Sequence, residues 1–288
     1  FKAGTLIDVA GPALGTLAVF GALLGATLAE ADRQRRLLRE AQARVAGELE
    51  AARRIQMGLL PSPRRLFAGE ARFSLEATLE PARVVGGDFY DCFMVDAHRL
   101  FFTVADVSGK GLPASLFMAL AKSLLKSIAL RTGADPGTIL AQASAEIARD
   151  NPESFFVTAF AGTLDARSGL LEFCNAGHEP PYLCRAAQRP ERLEHQGGPP
   201  LCVIEGYAYS SARRTLGRGE SLCVLTDGVT EAMDRAGALY GRARLLQLLE
   251  KADDPLATLS AVREDVRRFT AGTEQVDDLT LLCVRFNG

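Results

Sequence analysis

With 288 residues, 48% of them hydrophobic, the chain can bury a full core, which excludes a disordered polypeptide and suggests one sizeable domain with extra segments. The formal net charge is only −2, and the basic residues are spread along the chain apart from a cluster at Arg33–Arg39, so no nucleic-acid partner is expected. Cys92, Cys174, Cys184, Cys202, Cys223 and Cys283 stand far apart with no CxxC pair, which predicts reduced, buried thiols in a cytosolic compartment rather than a disulfide frame or a zinc site.

The chain begins at Phe1 rather than at a methionine, and residues 1–8 read as the end of an extracytoplasmic segment of something longer. From Val9 to Ala29 there is no charged side chain. As a helix that stretch would run roughly 30 Å, enough to cross a bilayer core. Residues 9–29 are therefore expected to be a transmembrane helix. Arg33, Arg35, Arg36 and Arg39 follow it at once, which places everything downstream in the cytoplasm. A cleaved signal peptide would carry its positive charge before the apolar stretch. Gly11, Gly15, Ala18, Ala22, Gly25 and Ala29 form a stripe of small residues that would let two such helices approach closely. Gly and Ala are common in membrane helices, so a homodimer through residues 9–60 is an expectation to be tested.

Residues 30–60 read as a long helix, a signalling linker between membrane and domain. Leu38, Val45, Ala52 and Leu59 recur every seventh residue, as in a coiled-coil seam, but Gln42 and Gln56 at the other seam position fit a plain amphipathic linker equally well. Pro61, Ser62 and Pro63 end it. Residues 61–288 then change to short apolar runs between Gly, Pro and Asp, with strands expected at 72–79, 99–105, 155–164, 170–175, 207–216, 221–226 and 279–286. Helices are expected at 113–131, 136–149, 242–251 and 255–269. Hairpin-like strand neighbours with helices between them predict an α+β domain of antiparallel sheets carrying helices on their outer faces.

Four acidic sites recur at the mouths of apolar strands: Asp88 after Gly86-Gly87, Asp106 at the end of Leu100–Ala105, Asp227 before Gly228, and Asp277-Asp278 before Leu279-Thr280-Leu281-Leu282. One Asp beside Gly is an ordinary turn signal. Repeated four times, the design suits octahedral Mg²⁺ or Mn²⁺, because strand-end carboxylates are rigid and glycine lets backbone carbonyls approach. Two such ions would acidify a bridging water and neutralise a phosphoryl group under in-line attack. Zinc is not expected, since no histidine-rich cluster is present.

Six motifs now stand in order along residues 50–288: Ala52-Arg53-Arg54-Ile55-Gln56-Met57-Gly58-Leu59-Leu60-Pro61, Val85-Gly86-Gly87-Asp88-Phe89-Tyr90-Asp91, Asp106-Val107-Ser108-Gly109-Lys110-Gly111, Asn175-Ala176-Gly177-His178-Glu179-Pro180-Pro181, Thr226-Asp227-Gly228-Val229-Thr230-Glu231-Ala232 and Asp277-Asp278-Leu279-Thr280. Together they resemble the PPM-type metal-dependent serine/threonine phosphatases of the bacterial RsbU/SpoIIE-like group. The resemblance implies an α-β-β-α sandwich with an acidic channel at one edge of its two sheets. It implies that Asp88, Asp106, Asp227 and Asp277 are catalytic through two Mn²⁺ or Mg²⁺ ions, with Asp88 and Asp106 shared between them and the Val107 carbonyl as a backbone ligand. Asp278 is the alternative to Asp277. Arg83 lies where many members have a phosphate-binding arginine, although a solvated loop arginine fits as well.

A bridging hydroxide would attack phosphorus directly, with no phosphoenzyme. The implied substrate is a phosphoserine or phosphothreonine on an anti-sigma-factor antagonist of the STAS type, and the implied location a single-pass protein of the bacterial cytoplasmic membrane with its catalytic domain inside. This chain departs from the eukaryotic branch by carrying Ser108 where that branch has a histidine suited to protonating the leaving oxygen. Water or Lys110 remain for that step, and His178, in a Gly/Pro-rich turn, reads as a structural hydrogen-bonding residue. A P-loop is excluded, because the leading glycine is absent and Leu112 replaces the Ser/Thr. Two rival readings are a catalytically silent partner-docking pseudophosphatase and, from Gly86-Gly87-Asp88, a diguanylate cyclase, against which Phe89 stands in place of glutamate.

Overall fold

The computed structural model describes residues 10–185, 188–251 and 254–288, so the expected segment 1–8 lies outside the described residues, as does Val9. The chain divides between Ala51 and Ala52 into two compact units. The first is helical throughout its described residues. It forms most of α1 (Ala10–Leu59), so the expected membrane span and linker are one unbroken helix. Leu14, Leu17, Val19, Phe20, Leu23, Leu24 and Leu28 are all exposed, an apolar surface that water does not favour and a bilayer would cover. This is a hint of a membrane anchor, by length and composition.

The second unit begins with the last two turns of α1 and a short α2 (Pro63–Leu66). In chain order there follow β1 (Phe73–Glu80), β2 (Phe89–Met94), β3 (Arg99–Val107), α3 (Leu112–Thr132), α4 (Pro136–Ala148), β4 (Val157–Asp165), β5 (Leu170–Ala176), β6 (Tyr182–Cys184), β7 (Glu191–Arg192), β8 (Ala212–Thr215), β9 (Ser221–Leu225), α5 (Asp227–Thr230), α6 (Gly241–Leu249), α7 (Pro255–Phe269) and β10 (Leu279–Phe286). Two five-stranded antiparallel sheets result, in the orders β1-β10-β9-β6-β7 and β2-β3-β4-β5-β8. The strands expected at 99–105, 155–164, 170–175, 221–226 and 279–286 and all four expected helices are present within about two residues of their predicted ends. Of 207–216 only Ala212–Thr215 is strand, while Tyr207 and Tyr209 stack edge to face in the preceding loop.

The two faces of each central strand serve two different cores, because successive side chains point to opposite sides. On β3, Leu100, Phe102 and Val104 meet Phe160, Val224, Leu282 and Val284 between the sheets. Phe101, Ala105 and Val107 of the same strand face α3 and α4, packing with Met118, Leu125, Ile139 and Leu140. On β10, Leu279, Leu281 and Cys283 turn instead to α6 and α7, with Leu245, Leu259, Val262 and Val266. This is the expected α-β-β-α arrangement, and α3, apolar enough to span a bilayer, is a half-buried core helix.

The cysteines depart from expectation. Cys223 and Cys283 are direct partners in the β9–β10 register and form a cross-strand disulfide, while Cys92, Cys174, Cys184 and Cys202 are free. The two are 60 residues apart in sequence, and only the strand pairing brings them opposite each other.

One polar contact crosses the outer core. The Lys122 ammonium on α3 lies 2.7 Å from the Asp91 carboxylate on β2, with side-chain exposures of 7% and 2%, and Lys126 stands farther away at 3.8 Å. Removing one partner of such a pair strands the other charge out of water. Lys122→Met is expected to cost ~3 kcal/mol in urea unfolding, and the double change with Asp91→Asn much less. Equal losses in the two proteins would show that the pair is not what matters there.

Candidate active site

Antiparallel pairing gathers the carboxylates at one end of the sandwich. Phe89 pairs with Ala105, so Asp88, just before β2, and Asp106, near the end of β3, share one sheet end. Leu225 pairs with Leu281, which brings Asp227, just past β9, to Asp277 and Asp278, just before β10. Asp106 and Asp227 line a small cleft with Thr158, His178, Glu179, Thr226 and Glu231. Asp106 also lines an adjoining cleft with Arg83, Gly87, Lys110, Asp277 and Asp278. Asp88 is buried at this end of the sheet, and Arg83 is exposed. Asp88, Asp106, Val107, Asp227, Asp277, Asp278 and Arg83, the site residues expected from the sequence, are thus at this end of the sandwich.

Glycines make the crowding feasible. A Cβ on Gly87 would stand 2.7 Å from the Val107 carbonyl oxygen and 3.5 Å from Asp106 Oδ1, and one on Gly228 would meet the Asp278 carbonyl at 2.0 Å. Any side chain at Gly87 would fill the space in front of the Val107 carbonyl. Two residues with no assigned role in the sequence reading hold Asp88: the Thr226 and Thr280 hydroxyls donate to its Oδ2 at 2.8 and 2.6 Å. Both lie inside the quoted motifs, Thr226 next to Asp227 and Thr280 two residues after Asp278, and that proximity was the available signal.

The adjacent aspartates have different tasks. Asp278 Oδ1 accepts from the Ala82 N–H, and Oδ2 from those of Gly87 and Asp88, so its carboxylate braces the 82–88 loop. Asp277 Oδ1 accepts the Asp278 N–H, and its Oδ2 receives the Lys110 ammonium at 2.9 Å, which also donates to the Val276 carbonyl. Asp277 is the more exposed of the two.

Packing acids together resists their ionisation. Burial, then the charges of Asp106 and Asp278, push Asp88 well above the usual carboxylate range, against the pull of the two threonine hydroxyls. Burial raises Asp106 to about 7, with Asp227, Asp277 and Asp278 adding to the shift and a hydrogen bond with Asp88 opposing it. Asp227 is raised by desolvation among its neighbours, then by Glu231 and Asp277. Among the described residues no three carboxylate, imidazole or thiol groups already stand in a metal-holding arrangement.

His178 is buried and held through its backbone and Nδ1, while its Nε2 is buried without a hydrogen-bond partner among the described residues. Its N–H donates to Asn175 Oδ1, its carbonyl accepts from Asn175 Nδ2, and Nδ1 pairs with the Thr158 hydroxyl at 3.0 Å. Burial lowers its pKa to about 4, so the ring is neutral near pH 7, as suits a structural residue. The Ser108 hydroxyl is committed to the Phe156 N–H.

A family model described as Stage II sporulation protein E (SpoIIE) matches residues 96–287. The chain belongs to the SpoIIE family. The phosphoserine phosphatase RsbU of Bacillus subtilis is 28% identical over 221 residues, covering 77% of this chain and 64% of that protein. Protein IcfG of Synechocystis is 28% identical over 267 residues, covering 83% of this chain and 42% of that protein. The chain thus spans roughly half the length of these curated relatives. Among solved structures, the SiaA-PP2C domain of Pseudomonas aeruginosa superposes with a TM-score of 0.73 at 24% identity, covering 85% of this chain and 98% of that one. A more distant neighbour, the catalytic domain of the phosphatase PstP solved with two manganese ions, has a TM-score of 0.56 at 14% identity over 75% of this chain and 99% of its own. The domain thus shares the fold of these PP2C domains.

The raised carboxylate pKa values carry a stability consequence. Between pH ~4 and ~7 folded Asp106 holds a proton that unfolded aspartate has lost, so stability of the metal-free protein falls as pH rises through that window. In chelator at pH 8, Asp106→Asn is expected to raise Tm by several degrees, ~2 kcal/mol, and to flatten the dependence between pH 4 and 8. Thermal melts across that range check it; a lowered Tm at pH 8 would mean that Asp106 is not under electrostatic strain.

Proposed function

We propose that the chain is a metal-dependent protein serine/threonine phosphatase acting on phosphoserine or phosphothreonine, and that its substrate is a STAS-type anti-sigma-factor antagonist. The observation that carries this reading is the convergence of Asp88, Asp106, Asp227, Asp277 and Asp278 at one end of the sandwich, where burial and then neighbouring acids raise the pKa values of Asp88, Asp106 and Asp227. An oxygen-only donor set of this charge, with the Val107 carbonyl uncovered by Gly87, fits hard divalent cations such as Mn²⁺ or Mg²⁺. Two such ions, when bound, supply charge neutralisation for the phosphoryl group and an acidified water as nucleophile.

The chain's own residues do the positioning. Asp88, just before β2, and Asp106, on the neighbouring β3, would hold the cations between them, and Thr226 and Thr280 fix the orientation of Asp88. Asp227 and Asp277 complete the set. We take Asp277 rather than Asp278 as the ligand, because the Asp278 carboxylate is already engaged by three backbone N–H groups. Lys110 must then release Asp277 when a cation binds, and is freed towards the cleft. Arg83, exposed at the edge of the same cleft, is placed to receive phosphoryl oxygens. Water is the phosphoryl acceptor, with no phosphoenzyme. The RsbU relative supports a partner-switching substrate protein. The apolar surface of α1 supports a single-pass anchor in a bacterial cytoplasmic membrane, with two copies meeting through the small-residue stripe.

The rival cyclase reading is disfavoured by Phe89, whose ring is fully buried against α3 at the position where that chemistry needs a glutamate. Incubation with a phosphoseryl peptide and Mn²⁺ is expected to release phosphate, and chelator to abolish release. Pyrophosphate released from GTP would favour the cyclase, and inertness towards both would favour the pseudophosphatase. For the topology, a reporter fused after Gly288 should behave as cytoplasmic, and a chain lacking residues 1–30 should stay in solution without detergent. An extracytoplasmic reporter would reverse the assignment.

A further inference from the structure

The last two turns of α1 belong to the same compact unit as the acidic cluster, although the family match begins only at residue 96. Their burial is inverted. Ile55 is 69% exposed and Leu59 40%, whereas the polar Gln56 is only 4% exposed. A buried amide is costly unless both of its ends find partners. Gln56 finds both on a single residue: Nε2 donates to the Gly86 carbonyl at 2.6 Å, and Oε1 accepts from the Gly86 N–H at 3.2 Å. This is the reciprocal pairing a neighbouring strand would offer, made here by one side chain.

Gly86 is held on a second side. A Cβ there would meet Asp278 Oδ2 at 1.9 Å, so the glycine is pressed against the same carboxylate that accepts the Gly87 and Asp88 N–H groups. Arg53 adds a bond from Nη1 to the Val84 carbonyl at 3.3 Å, and Tyr90 reaches back to the Pro61 carbonyl at 3.1 Å. The segment carrying Asp88 is thus clasped between Gln56 from the helix and Asp278 from β10. From this we infer that Gln56 is a positioning residue of the active site, setting the backbone of Gly86-Gly87-Asp88 and through it the Asp88 carboxylate and the opening in front of Val107. The inference deepens the phosphatase reading and rests on it for its catalytic consequence, although the clasp itself can be judged without metal or substrate.

Two changes separate the hydrogen bonds from bulk. Gln56→Met keeps helix propensity and approximate volume but loses both bonds; Gln56→Glu keeps the acceptor for the Gly86 N–H and loses the donor. Hydrogen exchange would be followed by mass spectrometry in the full 288-residue chain in detergent micelles with chelator present. Gln56→Met is expected to speed exchange in the peptide spanning residues 82–90 roughly tenfold, with Gln56→Glu intermediate and α4 and α7 unchanged. By calorimetry the same protein should bind Mn²⁺ roughly tenfold more weakly, with kcat lowered by about as much and KM for a phosphoseryl peptide within about twofold. Val262→Ala, on the buried face of α7, serves as a destabilised control and should leave the 82–90 exchange and Mn²⁺ affinity unchanged.

Wild-type exchange and wild-type Mn²⁺ affinity in Gln56→Met would overturn the inference. So would a Val262→Ala control that reproduced its effects at equal loss of Tm. Should Gln56→Met fail to fold, Gln56→Glu decides by the same two readouts. If the unaltered chain neither binds Mn²⁺ nor releases phosphate, the phosphatase reading fails, and the 82–90 exchange still judges the clasp.

Discussion

Mutual repulsion among carboxylates brought out of water at one end of two sheets is the constraint around which this domain is built. Asp88 and Asp106 would ionise freely on an unfolded chain, and in the fold burial and their neighbours raise the pKa of both. A fold that accepts such a cost without a bound cation needs a rigid frame that prevents the acids from moving apart. The two-faced central strands supply it. β3 and β10 each commit alternate side chains to the inter-sheet core and to a helix layer, so their ends cannot shift without disturbing both.

The finer placement comes from backbone contacts. Asp278 spends its carboxylate on three N–H groups of the 82–88 loop, Gln56 grips the same loop from the helix, and Thr226 and Thr280 point Asp88. Gly86, Gly87 and Gly228 are small for one shared reason, since at each a Cβ would strike an oxygen of Asp278 or Val107. These contacts tie four separate stretches of sequence into one object. The sharp motifs at 86–91, 106–111, 226–232 and 277–280 are therefore parts of a single acidic mouth.

The division of labour between neighbouring residues follows from the same geometry. Asp277 and Asp278 both line the cleft, yet the Asp278 carboxylate braces a loop while that of Asp277 meets a lysine. His178, chemically the most versatile side chain nearby, is neutralised by burial and spent on structure. An exposed arginine and lysine, Arg83 and Lys110, line the same cleft.

Strong local patterns were legible before any folding was considered. β10 was readable in full because Leu279 to Phe286 is one apolar run, and α7 because Pro255 opens a helical stripe behind Asp254, whose carboxylate caps it at the Ala257 N–H. The acidic residues were legible because Asp beside Gly at strand ends is unusual when it recurs. β2 was hidden inside the Gly86–Asp91 motif, and β6 and β7 are too short for any period to show. Contacts between residues far apart in sequence were not legible. The Cys223–Cys283 pairing, the different partners of Asp277 and Asp278, the threonines on Asp88 and the clasp of Gln56 on Gly86 join positions that sequence spacing does not relate. What the sequence by itself determined was the inventory of elements and the chemistry of their ends, because periodicity and turn residues act locally. Which partners each carboxylate finds, only the tertiary structure decided, because those contacts rest on strand register and on hydrogen bonds across 30 to 196 residues of chain.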